Sequence, residues 1–515
     1  MEGTLDPMAT DVAPPDPPAE SQTPRGRLVD LALAGVVLEV ALLVGFLWPL
    51  AIWKHHGIVE GHQPLAVVLG TGRIGAVRYL VIVLCAFAAF AAAAWLARRV
   101  AGRPALWIVL GGVVVFSATL IPINPVGAHD VYHNIADART LWVHGDNPMT
   151  TPPEGNRDDP FYPHVPAWAD YASSYGPLWY VISGAPLPFA GSSLWPNVIG
   201  QKLIATAFLV IATTLVMLIA GRIRPGTAIP AGVLVGWNPL MLFETAGNAH
   251  NDIVMAAFAL AAFYAIVRKW WTTVFPLLAL AVAVKYTLIV LAPLVMIWMV
   301  LRTDIPLRAL ARSLAAGLAV GLALFGPVIV DGSLYHALAR QGDHILASTG
   351  SALVSLLIEY RGMDVAEATY VMKVALGSLF LLGYGVLIWR LPRNPSFATL
   401  TNAASWMIFL FLFTASWWFW PWYLVWLVPF AALRPHRAPA LAASVFATTA
   451  MLMYLSYYWQ LYSDWHFKQR LVAATIFTAP MAIALLQAVR PWLQSRLRGL
   501  VRSPAAPDTA QTQRP

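Results

Sequence analysis

Residues 104–137 read PALWIVLGGVVVFSATLIPINPVGAHDVYHNIAD, and this stretch decides how the chain must fold. Its first part is an apolar run that ends near Ile123 and is long enough, at about 20 residues, to cross a bilayer as a helix. Its second part begins a polar segment, His129–Tyr175. We therefore expect a membrane helix followed by a long polar loop, and loops held by a rigid scaffold carry function disproportionately.

Composition places the whole chain in a membrane. Of its 515 residues, 59% are hydrophobic and 11% are charged, whereas soluble domains carry roughly 25% charged residues. Apolar runs of spanning length recur, which excludes the short alternating segments of a β-barrel. We predict an all-α, polytopic membrane protein of about 12–14 transmembrane helices. The runs lie at 28–53, 76–97, 104–124, 198–220, 227–245, 250–268, 270–285, 286–301, 309–330, 370–390, 397–415, 418–433, 438–459 and 470–489.

The two ends of the chain differ from this transmembrane region. Residues 1–27 are rich in Pro, Ala and acids, residues 491–515 are rich in Arg and Pro, and both are predicted to be disordered tails. Residues 28–490 then form a multi-span domain that includes an outer loop, 125–175. Basic residues gather in alternate loops, so the positive-inside rule places both termini in the cytoplasm. This orientation requires that Gly176–Phe189, a proline-rich segment, form an interfacial or re-entrant helix rather than cross.

Charge and cysteine content exclude several other classes of function. The net charge of +8 follows from basic cytoplasmic loops and does not indicate nucleic-acid binding. The single cysteine, Cys85, lies in an apolar run, so a cysteine metal cluster and an intrachain disulfide are both excluded.

Asp130 is the first candidate for chemistry, because it stands just beyond a membrane span. A carboxylate near the membrane is partly desolvated, which favours a general base. Asp130, His133 and Asp137 have helical spacing, so one helix face can present all three. Two alternatives are a metal site of Asp130 with His129 or His133, and a cap on a helix starting at Val131. Asp158 and Asp159, in the proline-rich tip of the loop, are expected to be solvated.

A second polar cluster lies between two apolar runs with almost no loop. It contains Glu244, Asn248, His250, Asn251 and Asp252. A charge inside a span costs roughly 2.5–3.5 kcal/mol, so such residues call for a functional hypothesis. The alternative is a polar turn whose Asn and Asp cap the next helix.

Two further features interrupt apolar segments. Lys285-Tyr286 divides a long apolar stretch, and the lysine either extends its amine to the interface or neutralises a lipid phosphate. Residues Trp417–Tyr423 are dense in aromatics, which fits either an interfacial belt or a stacking platform for a sugar or a polyprenyl chain.

These motifs resemble a known superfamily. Asp130 and Tyr132 beyond an early span, followed by Ala136, Gly145 and Asn147-Pro148, resemble the first outer loop of the GT-C polyprenyl-phosphate-sugar glycosyltransferases. Trp237-Asn238-Pro239-Leu240 through Asp252, then Val284-Lys285-Tyr286, resemble its bacterial mannosyltransferase branch. The segment Phe419–Pro429 looks like the late motif of the same branch.

The resemblance implies a GT-C-like fold with short interfacial helices in the first outer loop. It further implies inverting transfer of a hexose, mannose in this branch, from a polyprenyl phosphate donor to a hydroxyl of a glycan or glycolipid acceptor on the outer face. Asp130 would be the general base. Asp137 is its rival, because the family's Tyr usually lies further from the Asp. The predicted substrate-binding residues are Tyr132, His133, Glu244, Asn248, His250, Asn251, Asp252, Lys285, Tyr286, Trp420, Trp422 and Tyr423.

Neither a cofactor nor a metal ligand is assigned. The alternative function is a transporter or flippase of a lipid-linked or anionic substrate that uses the same intramembrane charges.

Overall fold

A computed structural model describes residues 24–54, 64–70, 72–127, 129–165, 167–340, 347–458 and 465–501. The protein is 79% helical, and these residues contain helices and one isolated β-bridge but no strand. Nine of the described helices are long and apolar enough to cross a membrane, or ten if one bent pair counts as a single span. The predicted all-α, polytopic fold is confirmed.

The N-terminal part consists of long helices followed by the polar loop. The bounds are α1 Pro24–Leu42, a π-helical turn Leu43–Leu47, α2 Trp48–Leu50, α3 Pro64–Leu69, α4 Arg73–Ala97 and α5 Arg103–Leu120. The loop contains α6 Asp130–Trp142 and 3-10 turns at Pro153–Asn156 and Tyr162–His164. After it come α7 Pro177–Ser183 and α8 Leu187–Ala190. These last two helices, of 7 and 4 residues, are too short to span, as predicted for Gly176–Phe189.

The middle of the chain contains two interrupted membrane segments. The bounds are α9 Leu194–Ile223, α10 Ala228–Gly236, α11 Pro239–Leu242, a π-helical turn Phe243–Gly247 and α12 Asp252–Val267. The segments Pro239–Gly247 and Asp252–Val267 meet at an angle of 116°. The second interruption separates α13 Val274–Val284 from a 3-10 turn, Tyr286–Val290, and α14 Leu291–Val300.

One predicted span, 227–245, is divided in the structure. The Asn238 side chain accepts a hydrogen bond from Leu240 N at 3.0 Å, and Pro239 occupies the first turn of α11. An Asn cap followed by Pro starts a new helix. Apolarity alone does not distinguish this restart from a continuous span.

The remaining helices complete the bundle. The bounds are α15 Leu307–Val330, α16 Ser333–Arg340, α17 Thr349–Arg361, α18 Val365–Arg390, α19 Phe397–Thr414, α20 Leu424–Ala432, α21 Ala438–Tyr458 and α22 Trp465–Val501. Helices α10, α12 and α20 are buried along nearly their whole length, whereas α18 exposes most of its apolar surface. Helix α22 extends past the boundary at residue 490 that was predicted for the C-terminal tail, while residues 1–23 and 502–515 lie outside the described part.

The polar loop is folded around a buried ion pair. Arg139 donates two hydrogen bonds to Asp159, at 2.8 and 3.0 Å, and His144 Nε2 lies 2.6 Å from the same carboxylate. Burial would raise the pKa of Asp159, but these partners and the Phe161 amide hold it below its usual range. The expectation that Asp159 is solvated is wrong, since its partner Arg139 is distant in sequence. Asp158 is exposed.

Helix α9 contains a buried lysine that sequence reasoning did not identify. Lys202 is fully buried, and its Nζ donates to Ile121 O at 3.0 Å and to Ile123 O. These carbonyls follow the end of α5, where the last carbonyls of a helix lack intrahelical partners and a cation suits the helix dipole. Through these hydrogen bonds, Lys202 holds the beginning of the polar loop against α9.

Replacing Lys202→Met should lower the free energy of unfolding by about 3 kcal/mol, because both carbonyls lose their donor inside the protein. Thermal unfolding in detergent measures the effect. Lys373→Met, the same change at an exposed position on α18, should leave the midpoint unchanged. Equal midpoints for both variants and the wild type would show that Lys202 has no capping role.

Candidate active site

The polar loop meets the bent helix pair at Gly127. Gly127 N donates to Asn248 Oδ1 at 3.0 Å, and a Cβ at this position would clash with the Asn248 side chain. Only glycine permits this close approach. Asn124 Nδ2 donates to Leu50 O at 2.9 Å and ties the same stretch to α2. The Gly127 contact places the start of α6 beside the bend, and the Asn124 contact holds the preceding residues against α2.

Asp130 is the first residue of α6 and remains partly open. Its side chain is 28% exposed, and the N-cap position of α6 is occupied by His129 and not by Asp130. Oδ2 accepts a hydrogen bond from the Tyr175 hydroxyl at 3.0 Å and lies 3.8 Å from His250 Nδ1. The carboxylate is therefore held by the rest of the cluster instead of serving its own helix.

Behind His250 lies a buried carboxylate. Glu244 accepts hydrogen bonds from Asn248 Nδ2 at 3.1 Å and from the Tyr454 hydroxyl at 2.9 Å. His250 Nε2 lies 3.3 Å from Glu244, close enough for an ion pair but not aligned as a hydrogen bond. The imidazole stacks on Trp422 with ring centroids 4.1 Å apart. His250 is thus fixed between two carboxylates and an indole.

Asp252 and Lys285 form an ion pair that joins the two interruptions. Lys285 Nζ donates to Asp252 Oδ1 at 2.8 Å, and Trp426 Nε1 donates to the same oxygen. The other carboxylate oxygen, Oδ2, is buried and has no hydrogen-bond partner. Lys285 Nζ also lies 5.0–5.4 Å from the ring centroids of Tyr175, Tyr423 and Trp426, a cation–π arrangement.

Tyr175 links these two groups. Its hydroxyl contacts Asp130, its ring faces Lys285, and its carbonyl accepts hydrogen bonds from the Tyr180 and Tyr286 hydroxyls at 2.6 and 2.9 Å. Burial, and then the charges of Asp130 and Asp252, raise the pKa of Tyr175. The phenol therefore stays protonated and acts as a donor to Asp130.

His133 and Asp137 form a separate pair on α6. His133 Nδ1 lies 3.2 Å from Asp137 Oδ2, and Nε2 lies 3.1 Å from both Trp168 O and Tyr171 O. All these partners are acceptors, so both ring nitrogens donate and the ring is an imidazolium. Burial lowers the pKa of His133, but the charge and hydrogen bond of Asp137 outweigh it and raise the pKa to about 9.

Both ring nitrogens of His133 are occupied by these hydrogen bonds, so neither can bind a metal ion together with Asp130. Among the described residues, no group of three or more His, Cys, Asp or Glu side chains has the arrangement of a metal site.

The other candidates are distributed around the cluster. Tyr132 is buried in a small apolar group with Val131, Ile135 and Phe161, where it packs the loop. Asn251 is buried at the start of α12. Trp420 stacks on Trp422, with centroids 5.0 Å apart. The aromatic segment therefore lines the cluster through Trp422 and Tyr423.

Three residues of the cluster were not predicted. Tyr175 was interpreted as part of a turn, Trp426 lay inside the late motif without a role, and Tyr454 lies far along the chain on α21. Tyrosine and tryptophan are common in this sequence, so their types carried no signal.

The charged state of His133 predicts a pH dependence of stability. Because the folded-state pKa is about 9 and the ordinary value is 6.5, the contribution is complete below about pH 6.5 and is lost as the pH rises through about 9. His133→Gln should therefore cost about 3 kcal/mol near pH 6 and much less at pH 10. Thermal midpoints across this range give the difference. A difference independent of pH would contradict the imidazolium, and His336→Gln, at an exposed histidine, is the control.

Two comparisons with known proteins bear on this geometry. The family described as "Alpha-(1->6)-mannopyranosyltransferase, N-terminal domain" matches residues 32–302, which is more than half of the chain and includes Asp130, the bend and Lys285. "Alpha-(1->6)-mannopyranosyltransferase A" of Mycobacterium tuberculosis is 25% identical over 440 residues, which cover 82% of each chain.

The matched family is one of transferases and not of transporters. Together with the apolar helices that can cross a membrane, the match supports one assignment. The chain belongs to the alpha-(1->6)-mannopyranosyltransferase family and is a multi-pass membrane mannosyltransferase of the bacterial GT-C branch.

Proposed function

We propose that this mannosyltransferase takes mannose from a polyprenyl phosphate donor and forms an α-(1→6) bond to a hydroxyl of a glycan or glycolipid acceptor at the outer membrane face. Asp130 is the general base. One observation carries this proposal: a partly open carboxylate, held by Tyr175 at 3.0 Å, stands beside a cation and a cluster of aromatic rings.

Solvent exposure distinguishes Asp130 from Asp137, the other candidate for the general base. A base must lie within hydrogen-bond reach of the acceptor hydroxyl. The Asp130 side chain is 28% exposed, whereas Asp137 is fully buried and is paired with His133. An acceptor can reach Asp130 without displacing the loop, so Asp137 is assigned to holding His133 in place.

The reaction follows a single displacement. The acceptor hydroxyl loses its proton to an Asp130 oxygen while its oxygen forms a bond to the anomeric carbon. The bond from that carbon to the phosphate oxygen breaks, and its electron pair leaves with the lipid phosphate. Because one displacement inverts the anomeric centre, an α product requires a β-linked donor.

Lys285 is the cation that meets the leaving phosphate. An ammonium has three donors, and Asp252 takes one of them at 2.8 Å. The remaining donors face aromatic rings, and the lysine side chain as a whole is 13% exposed. Placing a cation where negative charge develops stabilises the transition state, and Asp252 keeps the amine in position.

His250 and Glu244 position the base. His250 Nδ1 lies 3.8 Å from Asp130 Oδ2, which is too far for a hydrogen bond, so the imidazole packs beside the base without donating to it. Glu244 is fully buried and holds the imidazole from behind. This arrangement fixes the orientation of the base through a second carboxylate, as in other systems of paired base and orienting group.

The proposed sidedness follows from the basic loops, which the positive-inside rule assigns to the cytoplasm. In that orientation α6, the bend and Lys285 lie at the outer end of the bundle. A donor whose polyprenyl tail lies in the bilayer presents its sugar at the same level as Asp130.

Asp130→Asn should lower kcat/KM by about a thousandfold, because an amide cannot accept the hydroxyl proton. The rate of mannose transfer by purified protein measures the loss. Asp158→Asn, at an exposed position in the same loop, should keep wild-type activity. Full activity of Asp130→Asn would remove this residue from the mechanism.

The same transfer assay identifies the class of mannose donor and the membrane face on which transfer occurs. In right-side-out vesicles that contain polyprenyl-phosphate mannose, product should form on a mannoside acceptor that cannot cross the membrane and is added outside. Nucleotide-linked mannose as the donor should give no product. Transfer from the nucleotide would refute the lipid donor, and transfer only in inverted vesicles would refute the orientation.

His250→Gln should lower kcat by about tenfold with little change in KM for the donor, since it alters the packing around the base and not the donor contacts. Glu244→Gln should act through the same imidazole, so the double variant should be no slower than the slower single variant. Multiplicative losses, or a change confined to KM, would contradict a positioning role.

A further inference from the structure

A groove of about 600 Å³ opens on the membrane-facing surface, away from the candidate active site. Its walls come from the π-helical turn Leu43–Leu47, from α2, from α3 and from α4. The lining is apolar apart from two arginines, and Trp48, Ile74 and Val77 are each more than half exposed. In a membrane-spanning bundle such apolar surface faces lipid.

The groove is built by a change in helix geometry. A Cβ at Gly45 would clash with Ile82, so the segment that follows α1 packs closely against α4 at this level. Gly45 lies in the π-helical turn Leu43–Leu47, and Pro49 follows it. π-Helical turns and proline are recognised causes of helix bends. The groove begins beside this contact, at Val44, and continues along α2 to Pro49.

Three cations surround its polar end. Arg73 and Arg78 line the groove, and Lys54 Nζ lies 3.5 Å from the centroid of the Trp48 ring. Arg78 donates to Leu69 O at 3.4 Å. Within the described part of the chain no carboxylate pairs with any of the three and no acidic side chain lines the groove. Among the described residues, the groove therefore offers positive charge without a paired carboxylate beside an apolar cleft.

This polar end lies on the same membrane face as Asp130. Ala51 pairs with Ile123 as an isolated bridge, and Ile52 N donates to Pro122 O at 2.9 Å. The end of α2 is thereby joined to the segment that enters α6. In the orientation proposed above this is the outer face, where basic residues are depleted, so three cations at one cleft call for a ligand.

We propose that the groove binds an anionic glycerophospholipid of the phosphatidylglycerol class. An acyl chain occupies the apolar cleft, and the phosphate contacts Arg73 and Arg78, with Lys54 at the rim. Basic pockets between membrane helices bind anionic headgroups in this way, and arginine can bind a phosphate through two hydrogen bonds. Its described lining residues include none from the candidate site and no neutral polar side chain to recognise a sugar, so the groove is not assigned to the donor.

Native mass spectrometry of the delipidated full-length protein in detergent tests this proposal. Phosphatidylglycerol should bind more tightly than phosphatidylcholine, and Arg73→Gln/Arg78→Gln should weaken its binding about 30-fold. Arg308→Gln/Arg312→Gln, two exposed arginines on α15, should bind like the wild type. Equal affinity for both lipids, or an unchanged affinity in Arg73→Gln/Arg78→Gln, would overturn the proposal.

A second variant tests the apolar part separately. Val77→Trp fills the cleft at an exposed position and keeps both arginines, so it should also weaken phosphatidylglycerol binding. Wild-type affinity would overturn the placement of the acyl chain. Preferential displacement of phosphatidylglycerol by polyprenyl phosphate would assign the groove to the donor lipid instead. Because the assay follows no transfer, its result is independent of the proposed reaction.

Discussion

The ion pair between Lys285 and Asp252 is the contact on which the rest of the site depends. Asp252 begins α12 and Lys285 directly follows α13, so the acid stands at a helix N-terminus and the amine at a helix C-terminus. Each charge is favoured by the dipole of its own helix end and by the other charge at 2.8 Å. Two breaks in membrane segments, each of which frees backbone groups that need partners, are thereby held against each other.

The Lys285–Asp252 pair holds the start of α12 in place. The bend that precedes α12 contains further buried polar groups. Glu244 and His250 are both buried, and their partners Asn248, Tyr454 and Trp422 come from the bend itself, from α21 and from the late aromatic segment. Removing the partner of a buried polar group leaves that group unsatisfied, which costs about 1–3 kcal/mol. The cluster is thus held from several parts of the bundle, and this fixes the surroundings of Asp130 at the mouth of the loop.

Sequence predicted the parts of this site whose residue types are costly in a membrane. Charged residues are costly in an apolar segment, and this cost identified Asp130, Glu244, Asp252 and Lys285 as candidates. The all-α fold was predicted from the apolar runs. Tyr175 and Tyr454 carried no such signal, because tyrosine is ordinary at membrane interfaces. Asp159 was misjudged because its partner, Arg139, is brought to it only by the folded loop. The division of the span at Asn238 was missed because apolarity continues across it.

The candidate active site and the groove beside α4 differ in their balance of charge. In the cluster, three carboxylates, those of Asp130, Glu244 and Asp252, face one lysine and one histidine, and that lysine is already paired. Such a site attracts a free anion weakly but suits the positive charge that develops at the anomeric carbon of a glycosyl transition state. The groove beside α4 has the opposite balance, with three cations and no acidic side chain among its described lining residues. Under the two proposals made above, the groove retains a phosphate by charge alone, whereas the phosphate at the cluster is stabilised most as its bond to the sugar breaks, which is the condition for catalysis.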